Sequence, residues 1–85
     1  MIYYLYILKS KISDKYHIGI SKNPEIRLSY HNTKEKGFTL RYRPWEIVFT
    51  KKYLNKALAS EAERKLKNWK SKKMVEKLIS GKINI

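Results

Sequence analysis

Cysteine is absent from this chain of 85 residues, and acidic side chains are scarce. Without cysteine the protein has neither disulfides nor a thiolate metal site to stabilise it. No stretch approaches the roughly 20 apolar residues that cross a membrane, and no Cys/His zinc spacing or phosphate-cradling glycine-rich loop is present. Apolar residues make up 42% of the chain, which suffices for one small domain. We expect a cytoplasmic protein in which residues 1–80 form that domain and residues 81–85 a short C-terminal tail.

The scarcity of acids leaves a large excess of positive charge. Twenty Lys and Arg residues against seven acids give a formal net charge of +13. Lys and Arg are rarely buried unpaired, so this charge lies mainly on the surface, where it attracts polyanions. Nucleic acid is the expected partner, and an anionic membrane surface is the second interpretation. No feature of the sequence indicates an obligate protein partner.

The first half of the chain predicts a hairpin followed by a helix. Residues 2–8 form an uninterrupted apolar and aromatic run, typical of a strand buried on both faces and lacking the marks of a signal peptide. Residues 16–20 predict a second, antiparallel strand. Asn23 and Pro24 are typical of a helix start, and this helix should extend to about His31.

The second half predicts a loop, a strand and two helices. Residues 32–43 are polar and favour a loop, whereas residues 45–53 carry apolar side chains at alternate positions and predict a third strand. Asn55 and Ser71 can each cap a helix. The resulting order is β-β-α-β-α-α, an α+β arrangement of a small sheet packed against helices.

Strand alternation points to a first group of candidate site residues. A hairpin could set Tyr6 of the first strand beside His17 of the second, and Gly19, on the same face, would leave room for a ligand backbone. Tyrosine is also a common strand residue and Gly19 could mark a bulge. From the strands alone this structural interpretation is favoured.

Arg27 and His31 lie one turn apart on the first helix, on a face distinct from the one that carries Ile26 and Tyr30. A guanidinium that binds phosphoryl oxygens and an imidazole that titrates near neutrality suit phosphate chemistry. The alternative is an ordinary solvated helix face, which the short pattern alone favours.

Glu63 lies beside the apolar stripe of the second long helix. A half-buried carboxylate there could bind a hard cation, because Mg²⁺ takes oxygen ligands and often only one or two protein carboxylates. The alternative is a surface ion pair with Lys67, four residues on, which the pattern alone favours.

Further cations could bind successive phosphates of a nucleic-acid backbone, and each such contact would add to the salt dependence of binding. They lie in the predicted loop and in the last two helices: Lys34, Lys36, Arg41, Arg43, Lys65, Lys67, Lys70, Lys72 and Lys73. Trp69, in the same region, fits the apolar stripe, so a core position is favoured over base stacking.

Four segments occur in an order that is more specific than any one of them: YYLYIL at 3–8, YHIG at 16–19, RLSYHN at 27–32 and ERKLKNW at 63–69. In this order they resemble the GIY-YIG nuclease family. The resemblance is to its short stand-alone bacterial members, related to the amino-terminal nuclease domain of the excision-repair protein UvrC. It covers about residues 2–80.

The resemblance implies a three-stranded antiparallel sheet flanked by helices, and a metal-dependent endonuclease. It implies catalytic roles for Tyr6, His17, Arg27 and His31, and binding of Mg²⁺ or Mn²⁺ by Glu63. In the segment YHIG, which corresponds to the second motif of the family, His17 stands where the motif has tyrosine. Because imidazole titrates near pH ~6.5 and phenol near ~10, a histidine could act as the base there. The alternative is a nucleic-acid-binding module of the same fold with little or no turnover.

Overall fold

The computed structural model describes residues 1–34 and 37–85, which form three strands and four helices. The strands are β1 (Tyr3–Ser10), β2 (Tyr16–Ser21) and β3 (Trp45–Tyr53), and the helices are α1 (Pro24–Thr33), α2 (Phe38–Arg41), α3 (Lys56–Asn68) and α4 (Lys72–Ile79). The predicted sheet-and-helix architecture is confirmed. The predicted loop at residues 32–43 nevertheless contains α2, because a four-residue helix is too short to show a helical period in the sequence.

The sheet has the order β2-β1-β3, with both pairs antiparallel. The central strand β1 is fully buried over residues 5–8, as expected of a strand covered on both faces. Leu5 and Ile7 pack with Leu66 of α3 and Leu78 of α4 on one face. On the other face Tyr6 and its neighbours pack toward α1, so the sheet separates two layers of helix.

A bulge in β3 interrupts the alternation predicted for that strand. Phe49 lies opposite Ile7 but Ile47 lies opposite Leu8, so Val48 is an extra residue. As a result Ile47 packs on the Tyr6 face, whereas Phe49 packs on the α3 face. A bulge depends on the pairing of two strands, and for that reason the alternation of one strand does not reveal it.

The predicted helix starts are confirmed by side-chain caps. Asn23 accepts a hydrogen bond from the Ile26 backbone N–H at 3.2 Å, and Asn55 accepts one from the Leu58 N–H at 2.9 Å. Ser71 caps α4 in the same way. Each cap satisfies a backbone donor that the first helical turn leaves unpaired.

The last residues and Trp69 also contact the core. Trp69 packs against the α3 face of the sheet, which confirms the core position favoured for it. Ile83 and Ile85 pack against the same cluster, and the Lys51 ammonium donates to the Ile85 carbonyl. Over residues 1–34 and 37–85, every helix is too short or too polar to cross a membrane.

Candidate active site

Tyr6 lies on the β1 face opposite Gly19 of β2, and the missing side chain of Gly19 makes room for it. A Cβ atom on Gly19 would lie 2.5 Å from the Tyr6 hydroxyl oxygen and 2.7 Å from its Cζ atom. The space that the sequence suggested for a ligand backbone is therefore occupied by the Tyr6 ring. Gly19 itself is paired regularly with β1 rather than forming a bulge.

Three of the predicted catalytic side chains meet on this face. The Tyr6 hydroxyl is 3.2 Å from His31 Nε2, within hydrogen-bond distance, and the tautomer of His31 decides which group donates. The ring centroids of His17 and His31 are 4.5 Å apart, and the His17 and Tyr6 centroids are 6.3 Å apart. One phenol and two imidazoles in contact form a set of groups through which a proton can be passed.

Burial distinguishes the three rings. Tyr6 and His31 are only 2% and 3% exposed, whereas His17 is half-buried. The residue also borders an open cleft beside β2, but that cleft lies on the α3 face of the sheet, opposite to the His17 ring. A group that removes a proton from attacking water must reach that water. Of the three, His17 is therefore best placed to act on a substrate, and Tyr6 and His31 are placed to orient it or share its proton.

Helix α1 turns a different face to the sheet from the one that its apolar residues suggest. Ile26 and Tyr30 are 65% and 41% exposed, and the buried side carries His31, with Leu28 packed against the Tyr6 cluster. Arg27 is half-buried, with its guanidinium carbon 5.1 Å from the centroid of the Tyr30 ring. Arg27 thus lies one helical turn from His31 at the edge of the buried cluster.

The end of α1 is held against β3 by a side chain that the sequence analysis did not single out. The Asn32 amide donates to the Trp45 carbonyl at 3.1 Å and accepts from the Trp45 backbone N–H at 2.7 Å. Arg43 Nε donates to the His31 carbonyl at 2.7 Å. These bonds fix the turn of helix that carries His31. A single asparagine in a helix gives no sequence signal for such a role.

Glu63 lies on α3, across the sheet from α1. Its side chain is 24% exposed, and its carboxylate is 3.3 Å from Lys67 Nζ. Within the described part of the chain this ion pair is the contact that Glu63 makes, so the structure bears out the surface pair that the spacing favoured. Lys67 in turn lines the cleft that His17 lines. Glu63 thus lies on the α3 side of the sheet, paired with Lys67, and is not joined to the Tyr6 cluster directly.

The donor set decides which metal ion the site could hold. In residues 1–34 and 37–85, no three His, Cys, Asp or Glu side chains are grouped to bind a metal. A lone, partly exposed carboxylate fits Mg²⁺, which keeps several water ligands and commonly adds phosphate oxygens from the substrate. Glu63 is compatible with such a site and incompatible with a zinc site of three or four protein ligands.

The cations predicted to bind nucleic acid on α3 and α4 face different surfaces. Lys67, Lys70 and Lys72 line the cleft beside β2. Lys65 lines a separate pocket near the end of β3, and Lys73 lines a third surface along α4. The run of lysines in the sequence is therefore split among three surfaces.

Three of the four remaining predicted cations, Lys34, Arg41 and Arg43, lie near the end of α1. Lys34 is exposed, with its ammonium 5.9 Å from the Tyr30 ring centroid, and Arg41 is exposed on α2. Arg43 is half-buried and bound to the His31 carbonyl, so its contact with the helix is structural. Lys36 lies outside the described residues.

Two tyrosines, Tyr16 and Tyr53, have a pKa above the usual value for a phenol. Burial raises the pKa of Tyr16, and the nearby carboxylates of Glu76 and Asp14 raise it further. Burial alone raises the pKa of Tyr53. Tyr16 lines the cleft, where it remains a protonated hydrogen-bond donor at neutral pH.

This geometry agrees with the comparison to protein families. Residues 2–77 match the model of the GIY-YIG catalytic domain. The match covers most of the chain, and the chain belongs to the GIY-YIG family.

Two relatives and one solved structure are similar to the chain. The UPF0213 protein OB0043 of Oceanobacillus iheyensis is 35% identical over 66 residues, 76% of each chain. The structure-specific endonuclease subunit SLX1 of Phaeosphaeria nodorum is 41% identical over 51 residues, which are 54% of this chain but 14% of that protein. The solution NMR structure of the UPF0213 protein BH0048 from Bacillus halodurans has a TM-score of 0.60 at 27% identity, over 94% of this chain and 84% of that one. The fold predicted from the sequence is confirmed by this likeness.

Proposed function

We propose that the protein is a metal-dependent endonuclease that hydrolyses phosphodiester bonds in nucleic acid, with DNA as the expected substrate. The observation that carries the proposal is the contact between Tyr6, His31 and His17 on one face of a GIY-YIG sheet. The net charge of +13 supports a polyanionic substrate. The relative named as a structure-specific endonuclease supports cleavage within a strand. A place in cytoplasmic DNA repair is part of the same proposal.

His17 is proposed as the base that activates water. It is the one of the three clustered rings that belongs to a half-buried rather than a buried residue, and its contact with His31 offers the abstracted proton a second imidazole. The Tyr6 hydroxyl holds His31 by a hydrogen bond, which restricts the rotation of that ring. Because the His17 ring contacts His31, a fixed His31 also limits the positions open to the His17 base, and a base held in one orientation loses less entropy on reaching the transition state.

Arg27 and Glu63 are proposed to act on the phosphate. The Arg27 guanidinium would stabilise the negative charge that shifts among the phosphoryl oxygens during attack. Glu63 would hold Mg²⁺ or Mn²⁺, and the bound ion would neutralise phosphate charge and assist departure of the leaving oxygen. Release of Glu63 from Lys67 would make the carboxylate available to the metal ion and the ammonium available to the phosphate.

The test is a cleavage screen over duplex, flap, branched and single-stranded DNA, with Mg²⁺, Mn²⁺ or EDTA. We expect cleavage with metal, and a loss of at least 100-fold in Glu63→Gln, on the order of what one electrostatic group contributes to catalysis, with nucleic-acid binding retained. Glu61→Gln is the matched control, because Glu61 is an exposed carboxylate on the same helix that lines a different pocket. Intact DNA with wild-type protein at high concentration, or normal cleavage by Glu63→Gln, would refute the proposal.

A nucleic-acid-binding module without turnover is the alternative. The observation that favours it is His17, which stands where the second motif of the family has tyrosine. The same screen separates the two functions, since a binding module shifts every substrate in a mobility assay and cleaves none of them with any metal.

A further inference from the structure

One flank of α1 carries an exposed aromatic ring beside two cations. The helix begins beside Ser21, the last residue of β2, and ends beside Trp45, the first residue of β3, to which Asn32 is hydrogen-bonded. The flank with Asn32 therefore faces β3, and the opposite flank faces the β2 side of the sheet, where His17 lies. At 3.6 residues per turn, this β2-side flank of α1 carries Arg27, Tyr30 and Lys34.

The ring of this flank is open to solvent and close to positive charge. Tyr30 is 41% exposed, and the Arg27 guanidinium carbon and the Lys34 ammonium lie 5.1 and 5.9 Å from its ring centroid. Proteins bind single-stranded nucleic acid with this combination, because a base stacks on the aromatic ring while cations contact the phosphates. Charge and ring together therefore favour a nucleotide as the ligand of the β2-side flank.

The distance between Arg27 and Tyr30 fits a strand whose phosphate is bound by the guanidinium. Successive phosphates of one DNA strand are spaced by about 3.4 Å along the helix axis. A ring centroid 5.1 Å from the guanidinium carbon is therefore close to the nucleotides on either side of that phosphate. A base inside a duplex is stacked between its neighbours and reaches a protein ring only by flipping out, at a cost in free energy. An unpaired base reaches the ring without that cost.

We propose that Tyr30 is the stacking site for an unpaired base next to the phosphate that Arg27 binds. The site would make DNA with unpaired nucleotides, such as single strands and flaps, the preferred substrate. Lys34 is exposed, and its flexible stem allows the ammonium to leave the ring for the adjoining phosphate, so that the base can stack. That Arg27 holds the cleaved phosphate rests on the proposed function, whereas the stacking site rests on the exposure and charge of the β2-side flank.

The experiment measures binding by fluorescence anisotropy in EDTA, at one salt concentration, with three DNA probes of equal length. The probes are a single strand, the same strand with every base replaced by an abasic unit, and a duplex. The abasic strand keeps the phosphates but offers no base to stack. Tyr30→Ala should weaken binding of the single strand by roughly 5- to 150-fold, the contribution of one base–aromatic contact, and should leave binding of the abasic strand and the duplex unchanged.

Two further substitutions separate stacking from apolar contact. Tyr30→Phe keeps an aromatic face and should bind all three probes as the wild type does. Tyr30→Leu keeps apolar bulk without an aromatic face and should lose affinity for the single strand as Tyr30→Ala does. Because Tyr30 is exposed, each variant is expected to fold, and far-UV circular dichroism checks this.

Leu58→Ala is the matched control, because Leu58 is 43% exposed and belongs to α3, which packs on the other face of the sheet. It should keep the wild-type affinity for every probe. Unchanged binding of the single strand by Tyr30→Ala would overturn the proposal. Equal losses on all three probes would also overturn it, since they would show that Tyr30 acts by holding Arg27 rather than by stacking a base.

Because binding is measured without metal, failure of the stacking site and failure of the nuclease are separable. Cleavage by the wild type, together with unchanged binding of the single strand by Tyr30→Ala, would refute the stacking site alone. A selective loss of single-strand binding in Tyr30→Ala, in a protein that cuts nothing, would support the stacking site and refute the nuclease. A wild type that binds none of the probes would refute both.

Discussion

Gly19 is the residue on which the position of the Tyr6 phenol depends. A methyl group there would overlap the Tyr6 hydroxyl, and Tyr6 is too deeply buried to move aside freely. We expect Gly19→Ala to destabilise the fold by about 1–3 kcal/mol, as overpacked cores do, and to lower cleavage by displacing the hydroxyl from His31. Urea denaturation and a cleavage assay measure the two effects.

Tyr6→Phe provides the comparison for Gly19→Ala. It removes the hydrogen bond to His31 but keeps the ring in place. If both substitutions act through that bond, the double variant should cleave no more slowly than the slower single variant, since coupled residues are not additive. Wild-type stability and rate in Gly19→Ala would show that the Tyr6 ring has another position open to it.

At the scale of elements, α1 carries Arg27 and His31, and Asn32 determines how that helix sits on β3. Asn32→Ala removes two hydrogen bonds to the Trp45 backbone and leaves the N–H and carbonyl of this buried residue without those partners. We expect a loss of about 1–3 kcal/mol in the free energy of unfolding, together with slower cleavage. Asn68→Ala, at an exposed asparagine ending α3, should change stability by less than about 0.5 kcal/mol. Equal stability of the two variants would contradict this role of Asn32.

The helices also show which local patterns are informative. Asn23, Asn55 and Ser71 were correctly predicted as helix starts, because a cap involves only neighbouring residues of the chain. The environment of His31 was not, because the short pattern favoured a solvated face for Arg27 and His31, whereas His31 is buried and the apolar pair Ile26 and Tyr30 remains exposed. Burial of His31 depends on its bond to Tyr6, 25 residues away, which no helical pattern can show.

At the scale of the whole molecule, the raised pKa values of Tyr16 and Tyr53 predict loss of stability in alkali. The folded protein holds these phenol protons more tightly than the unfolded chain, whose tyrosines ionise near pH ~10. Above that pH the unfolded state binds fewer protons, so the free energy of unfolding decreases until the raised pKa is passed.

Urea midpoints measured between roughly pH 9 and 11 test this dependence on Tyr16. Lysine also titrates in this range, and comparison of variants cancels its contribution. Tyr16→Phe should reduce the decline in stability relative to wild type. Tyr30→Phe, at an exposed tyrosine, should not. An identical decline in all three proteins would show that Tyr16 does not contribute.

The sequence alone was sufficient for the order of the three strands and the three longer helices and for the excess of positive charge, and it proposed a set of side chains for the site. Those features depend on composition, on neighbouring residues and on motifs in a fixed order. The tertiary structure decided which of these side chains touch. Strand pairing placed Tyr6 over Gly19, and helix packing brought His31 to Tyr6. Packing of α3 on the other face of the sheet left Glu63 paired with Lys67 rather than beside the rings, because contacts across a sheet depend on how its two helical layers pack.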